Sequence, residues 1–224
     1  TETVFSIAKG GGYDVFLRSF AYPYVSNFGN AIQDGRTHPF NTLWRLGMHS
    51  LVWPMFSPGG LQHQATTDAI LNAYLKRIEQ GSKGTMFFVH WNIPHDPFIF
   101  DRHGNKLSRA VLTKHLIRRP DRMAAYRDQM VGTDAVLGRL VAAMKENGSY
   151  DEALLVVLGD HNIGELGLDM TRVPLLIKRP GQKKFFVIRS EAGTIGLFDY
   201  LKGYLASGNL DRSVLLKQAE SPGS

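Results

Sequence analysis

One segment of the chain places side by side two residues of types that bind metal ions in many proteins. An apolar run of strand length, Leu154–Leu158, ends at Gly159 and is followed directly by Asp160 and His161. A carboxylate oxygen and an imidazole nitrogen in this position are common ligands of a divalent cation. The pair therefore predicts a metal site at the end of a buried strand. The simpler alternative is a helix cap beside an unrelated histidine.

A second segment upstream has a similar arrangement. The apolar residues Met86–Val89 run into His90, and His95 and Asp96 follow in a loop that contains two prolines. Polar side chains at the ends of neighbouring strands are typical of the ligand site of an open α/β sheet. The two segments together predict a site suited to a metal ion or a phosphate-like anion. For His95 alone, ordinary turn chemistry beside a proline is the competing interpretation.

The hydrophobic pattern predicts the elements that must position these side chains. Helices are predicted over residues 5–9, 66–80, 120–147 and 194–206, with a short one within 99–119, and strands over 13–17, 85–91, 153–158, 172–177 and 185–189. This alternation is typical of an α/β fold with a mostly parallel sheet flanked by helices on both faces. Residues 19–64 are aromatic and rich in glycine and proline, which predicts a functional insertion or a set of short elements.

The longest predicted helix carries a candidate core face. Met123, Met130, Leu137 and Met144 recur every seven residues, a spacing that predicts one buried stripe rather than a ligand-binding set. Asp134 lies near this stripe, where a carboxylate is costly unless it is paired. We therefore expect a structural hydrogen bond to Asp134.

Composition limits the chemistry that the chain can perform. It has no cysteine, which excludes disulfides, thiolate metal sites and a cysteine nucleophile within these 224 residues. The net charge is +6, with a sequence pI near 9.5. The basic residues are most simply explained as solvated surface charge. The alternative interpretation is that they attract anionic substrates or lipid head groups. No nucleic-acid-binding module is recognisable, so nucleic acid is not an expected partner.

The sequence carries neither a membrane-spanning apolar run nor a signal peptide that we can recognise. It begins at Thr1 rather than at methionine, so we expect a piece of something longer. The sequence leaves open whether the protein is cytoplasmic or extracytoplasmic, for example in a bacterial periplasm.

Four segments of the chain match, in the same order, the sequence pattern of one protein superfamily. They are the Gly12-Tyr13 strand, the loop Pro94–Phe98 (PHDPF), the long helix that leads to the pair Asp160-His161, and the strand Arg172–Gly181 (RVPLLIKRPG). Over residues 1–205 the series resembles the alkaline-phosphatase superfamily. The similarity is closest to its sulfatase-like branch, which includes phosphoethanolamine and glycerol-phosphate transferases. The resemblance implies an alkaline-phosphatase-like α/β sandwich with a metal site at the carboxyl ends of its strands.

The resemblance also implies roles for individual residues. Asp160 and His161 would be ligands of a divalent metal ion, which is Zn, Mn, Ca or Mg in different members. His95 would be catalytic and would bind the transferred sulfate or phosphate group or its leaving group, and His90 would assist in substrate binding. The implied reaction is in-line attack by a Ser, Thr or formylglycine nucleophile, with the metal neutralising charge on the oxyanion.

The chain departs from the family pattern at several points. We assign no nucleophile, because the family places it upstream of the Gly12-Tyr13 strand and the chain has neither a cysteine nor a Ser-x-Pro-x-Arg sequence. Gly159 and Asn162 flank the Asp-His pair where the family prefers Ser and Gly. We therefore predict a single sulfatase-like domain over residues 1–224 that is incomplete at its N-terminus.

Three hypotheses about function follow. The first is part of the catalytic domain of a metal-dependent, sulfatase-like hydrolase or phospho-group transferase that acts on sulfate or phosphate esters. The second is a degenerate, non-catalytic module that binds an anionic glycan or a lipid head group. The third is an unrelated α/β domain with chance matches.

Overall fold

The structure, a computed structural model, describes residues 2–20, 24–38, 59–118, 120–164, 167–185, 187 and 193–208. In chain order its elements are α1 Val4–Gly10, β1 Asp14–Phe20, α2 Tyr24–Phe28, β2 Asp34–His38, α3 Gly59–Glu79, β3 Thr85–His90, α4 Arg109–Ile117, α5 Arg122–Glu146, β4 Leu155–Leu158, β5 Leu175–Lys178 and α6 Thr194–Ser207. No helix among these is long and apolar enough to cross a membrane.

The central sheet has three parallel strands in the order β2-β1-β3. On the middle strand, Arg18 pairs with Arg36 of β2 on one side and with Val89 of β3 on the other. β4 and β5 form a separate antiparallel pair, in which Val156 lies opposite Ile177. The prediction of an α/β fold with a parallel sheet is therefore confirmed, and the antiparallel pair is an addition to it.

Alternate residues of β1 pack against helices on opposite faces of the sheet, because successive side chains of a strand point to opposite sides. Phe16 and Phe20 belong to a core cluster with apolar residues of α3 and α5. Val15 and Leu17 belong to a second cluster with residues of α1, and Leu17 is completely buried. Helices thus cover both faces, as the sequence predicts. Full burial of one such side chain contributes roughly 1.5–3 kcal/mol.

The β4–β5 pair packs against α6. Leu197 and Tyr200 of that helix are buried against Val156, Leu175 and Ile177. Asp160 and His161 follow the end of β4, so α6 packs against the strand pair that carries them.

Helix α3 begins at Gly59, so the predicted start at Thr66 is wrong. A Cβ at Gly60 would lie 2.7 Å from a methyl carbon of Leu112 in α4, so this glycine lets the two helices pack closely. Glycine has a low helix propensity, which is why the sequence pattern did not indicate the first turns of α3. Within residues 19–64 the structure describes α2, β2 and the start of α3, whereas residues 21–23 and 39–58 lie outside the described part.

The buried stripe of α5 differs from the predicted methionine stripe. Its buried residues are Ala125, Gln129, Gly132, Val136 and Leu140. Met130, by contrast, is 41% exposed, so the prediction that it packs in the core is wrong.

Two smaller predictions also need correction. Asp134 is exposed, so its carboxylate needs no buried partner. In the predicted strand over residues 185–189, Phe185 and Val187 are exposed and are not in a strand, and the remaining positions lie outside the described residues.

Candidate active-site cleft

The four residues that the sequence singled out line one cleft. Its volume is about 430 Å³, and it lies where the chain leaves β3 and β4. His90 and His95 reach it from the segment after β3, and Asp160 and His161 reach it from the turn after β4. Its apolar and aromatic lining includes Phe20, Trp91, Tyr126 and Ile163. The structure therefore brings the predicted residues together, while their individual roles stay predictions.

His95 is held by its neighbour in the sequence. Its Nδ1 lies 2.9 Å from Oδ1 of Asp96, and both side chains are about half exposed. Nη2 of Arg122 in α5 lies 3.5 Å from the other carboxylate oxygen of Asp96. Asp96 thus lies between two cationic partners and links His95 to the helix behind the loop.

These contacts change the protonation of both groups. The hydrogen bond with Asp96 raises the pKa of His95 to about 8, against an opposing effect of burial, and the charge of Asp160 adds a smaller increase. The same hydrogen bond, with a smaller contribution from Arg122, lowers the pKa of Asp96. At neutral pH His95 therefore carries a positive charge. Because Asp96 engages Nδ1, Nε2–H is the donor left for a ligand in the cleft.

His90 is positioned by a residue of α2. It is the last residue of β3, and its Nδ1 lies 3.2 Å from the hydroxyl of Tyr24 in α2. The two rings also meet edge to face, with centroids 5.8 Å apart. Sequence reasoning did not identify Tyr24, because the segment that contains it has no helical or strand periodicity long enough to place it.

The Asp160-His161 pair has an internal geometry suited to a metal ligand pair. Nδ1 of His161 lies 2.9 Å from the carbonyl oxygen of Asn162. A backbone partner of this kind fixes the tautomer and leaves Nε2 as the lone-pair nitrogen, as in most metal-binding histidines. That Nε2 lies 3.7 Å from Oδ2 of Asp160. Two ligands of a tetrahedral ion with bonds of about 2.1 Å are roughly 3.4 Å apart, so one ion can reach both atoms.

The described residues do not complete a metal site. No group of three or more His, Asp or Glu side chains suitable for a metal occurs among them. Asp160 and His161 thus fit two positions of a coordination shell. Structural and catalytic zinc sites use at least three protein ligands.

Two side chains that sequence reasoning missed support the His95 loop from α3. His63 is 1% exposed, and its Nδ1 lies 2.9 Å from the carbonyl oxygen of Pro97. Burial lowers the pKa of His63, so its ring is neutral and Nδ1–H donates this bond. Nε2 of Gln64 donates to the carbonyl of Ile99 at 3.3 Å and to that of Leu107 at 2.9 Å. The sequence signal that could have identified His63 and Gln64 is that they are polar residues just before the predicted start of the helix.

The fold and the cleft define an α/β protein whose strand ends present two histidines beside a metal-competent pair. The family model described as Sulfatase matches residues 1–206. The chain therefore belongs to the sulfatase family.

Solved structures agree with this assignment at the level of the fold. The structure of Ps i-CgsB in complex with k-i-k-neocarrahexaose superposes with a TM-score of 0.60 at 15% sequence identity, covering 95% of this chain and 55% of that one. Another structure of Ps i-CgsB gives a TM-score of 0.59 with the same identity and coverage. The chain thus spans about half the length of this relative. No curated protein sequence matches it.

Proposed function

We propose that the cleft binds the anionic group of a sulfate ester carried by a glycan, and that the chain contributes this part of a sulfatase catalytic site. The observation that carries the proposal is the convergence of His90, His95, Asp160 and His161 on one cleft in a member of the sulfatase family. A carrageenan-type oligosaccharide is bound by the structural relative, which favours a glycan over a small ester.

In this proposal His95 supplies the positive charge for the anion. Its pKa of about 8, raised by Asp96, keeps the ring protonated at neutral pH. Nε2–H then donates a charge-assisted hydrogen bond to a sulfate oxygen or to the ester oxygen that leaves with the sugar. A proton held at that nitrogen can be transferred to the leaving oxygen as the S–O bond breaks. His90, held by Tyr24, is a second polar side chain of the cleft that contacts the same group.

Asp160 and His161 are proposed as two ligands of a divalent cation, Zn, Mn, Ca or Mg. Such an ion, when bound, neutralises negative charge on the ester oxygens. The chain's own contribution is the orientation of both donors: the carboxylate accepts from the His161 backbone N–H at 2.9 Å, and the Asn162 carbonyl holds the imidazole. The remaining ligands and the nucleophile are not assigned to residues of this chain.

One feature favours a second candidate, a module that binds an anionic glycan without cleaving it. The described residues hold no group of three or more His, Asp or Glu side chains suited to a metal. Both candidates require anion binding in the cleft, and they differ only in turnover.

The test measures binding and turnover separately. Isothermal titration calorimetry of the chain with a sulfated neocarrageenan oligosaccharide, its desulfated counterpart and a phosphorylated sugar reports which anion is bound. We expect the sulfated ligand to bind at least tenfold more tightly than the desulfated one. Equal affinity for these two would refute the proposal. Sulfate release, measured by ion chromatography with added divalent metal, would identify the enzyme.

A further inference from the structure

One glutamine joins both ends of the loop that carries His95. Gln129 lies in the buried stripe of α5 and is 0% exposed. Its Oε1 accepts hydrogen bonds from the backbone N–H of Ile99 at 2.8 Å and from that of Phe100 at 3.3 Å. Its Nε2 donates to the carbonyl oxygen of His95 at 3.4 Å. A single side chain therefore satisfies backbone groups at the first and last residues of the segment 95–100.

The same face of α5 backs this loop over several turns. Arg122 pairs with Asp96. Tyr126, one turn on, has its ring centroid 6.5 Å from that of Phe98. Residues spaced by three or four positions lie on one face of a helix, so Gln129 continues the row formed by these two. Within the row, Gln129 is the member that bonds the backbone of His95 itself.

His63 and Gln64 hold the loop from α3 through its carbonyl oxygens, whereas Gln129 accepts from its N–H groups at Ile99 and Phe100. Ile99 is completely buried and Phe100 is nearly so, so water cannot replace a lost partner of their N–H groups. Since the amide of Gln129 supplies a donor and an acceptor at once, no apolar side chain of the same size can satisfy both ends. The backbone carbonyl of His95 is thus tied to the amide of Gln129.

We propose that Gln129 is a positioning residue that sets the His95 imidazole in the cleft. The inference deepens the proposed function and rests on it, because it assigns a cause to the placement of the anion-binding group. Gln129 itself lies behind the loop and does not line the cleft. If Gln129 had a merely structural role, loss of its amide would change only the stability of the protein. The proposal requires that the loss also changes the titration of His95.

Two substitutions separate these roles. Gln129→Leu keeps the size of the side chain and removes all three hydrogen bonds. Gln129→Glu keeps the acceptor for Ile99 and Phe100, and in its protonated form it also offers an O–H donor to the carbonyl of His95. Burial raises the pKa of a carboxyl group, so Gln129→Glu mimics glutamine at low pH and loses the donor when it ionises. Met130→Leu, at the next and exposed position, is the matched control.

The experiment compares the wild-type chain and the three variants by calorimetric titration with the sulfated oligosaccharide and by NMR titration of the His95 ring. For Gln129→Leu we expect a Kd raised at least tenfold and a His95 titration curve displaced from that of the wild type. For Gln129→Glu the ratio of its Kd to that of the wild type should be near one at low pH and rise with pH. Met130→Leu should match the wild type.

A folded Gln129→Leu variant with wild-type affinity and a wild-type His95 titration would overturn the inference. If that variant does not fold, the Gln129→Glu variant provides the test instead. The inference would be overturned if ionisation of the introduced glutamate changed neither the ratio of the variant's Kd to the wild-type Kd nor the His95 resonance. The proposed function fails by a different result: loss of His95 itself, in His95→Ala, would then leave the affinity unchanged. The NMR titration tests Gln129 even in that case, because it needs no ligand.

Discussion

Oδ1 of Asp96 lies 2.9 Å from Nδ1 of His95, and these two consecutive residues form a charged pair whose histidine lines the cleft. The resemblance describes the loop as a PHxPF sequence, in which the residue between His and Pro is not specified. Here that residue is an aspartate, which Arg122 of α5 holds through its second oxygen. The pair raises the pKa of His95 to about 8 and so extends its positive charge through the neutral range.

Replacing this carboxylate should make anion binding fail at a lower pH. The folded-state pKa of His95 is raised, so its charge is present below about pH 8 and is lost as the pH rises through that value. In Asp96→Asn the pKa should fall toward the ordinary value of about 6.5. The measurements are NMR titration of His95 and the pH dependence of the Kd for the sulfated oligosaccharide. Asp101→Asn, outside the cleft, is the control, and an unchanged His95 titration in Asp96→Asn would contradict the argument.

The metal prediction concerns Asp160 and His161. Either Asp160→Asn or His161→Ala removes one of the two donors, and we expect the affinity for the metal that binds most tightly to fall about 10-fold or more. Calorimetric titration with Zn²⁺, Mn²⁺, Ca²⁺ and Mg²⁺ measures this. Asp134→Asn, an exposed carboxylate on α5, should leave the affinity unchanged. Metal binding that survives in both cleft variants would place the ion elsewhere.

Packing between α5 and the His95 loop leads to a stability prediction. A Cβ on Gly132 would lie 2.1 Å from a ring carbon of Phe100, so Gly132→Ala should lower the free energy of unfolding by about 1–3 kcal/mol. A Cβ on Gly138, in the same helix, meets no atom of the described residues within 4 Å. Gly138→Ala should therefore stabilise by roughly 0.5–1 kcal/mol. Urea unfolding measures both, and equal effects of the two substitutions would refute the packing argument.

The start of α5 is capped by Asp121, whose carboxylate accepts from the backbone N–H of Ala124 at 2.9 Å. Asp121→Ala should cost about 1 kcal/mol, whereas Asp121→Asn, which keeps a capping oxygen, should cost much less. Because Arg122 follows directly, the alanine variant should also loosen its contact with Asp96. Thermal unfolding gives the first effect and the His95 titration gives the second. An alanine variant as stable as the asparagine variant would show that the cap contributes nothing.

The sequence predicted the two strand ends that form the site, because each has an apolar run that stops at a polar group. It did not predict β2, whose residues Asp34–His38 contain no apolar side chain. That strand exists through its parallel pairing with β1, and such a tertiary effect has no local signal.

The interior of α5 was also misjudged for a physical reason. A spacing of seven residues drifts around an α-helix by only about 20° per repeat, so the methionines share one side of α5, but that side lies beside the buried face and not on it. The buried stripe of α5 contains Gln129 and Gly132, whose residue types do not indicate a hydrophobic core position. Both are buried because of the loop at residues 95–100, which is distant in the sequence. Gln129 forms hydrogen bonds with the backbone of this loop, and Gly132 leaves room for the ring of Phe100.

The central claim is that His95 binds the anionic group of a sulfated glycan, and the most direct measurement is the Kd of His95→Ala for the sulfated oligosaccharide at neutral pH. The matched control is His103→Ala, which removes an exposed histidine outside the cleft. We expect His95→Ala to weaken binding at least tenfold while His103→Ala binds like the wild type. Equal affinity of the two variants would contradict the assignment of the cleft as the sulfate-ester site.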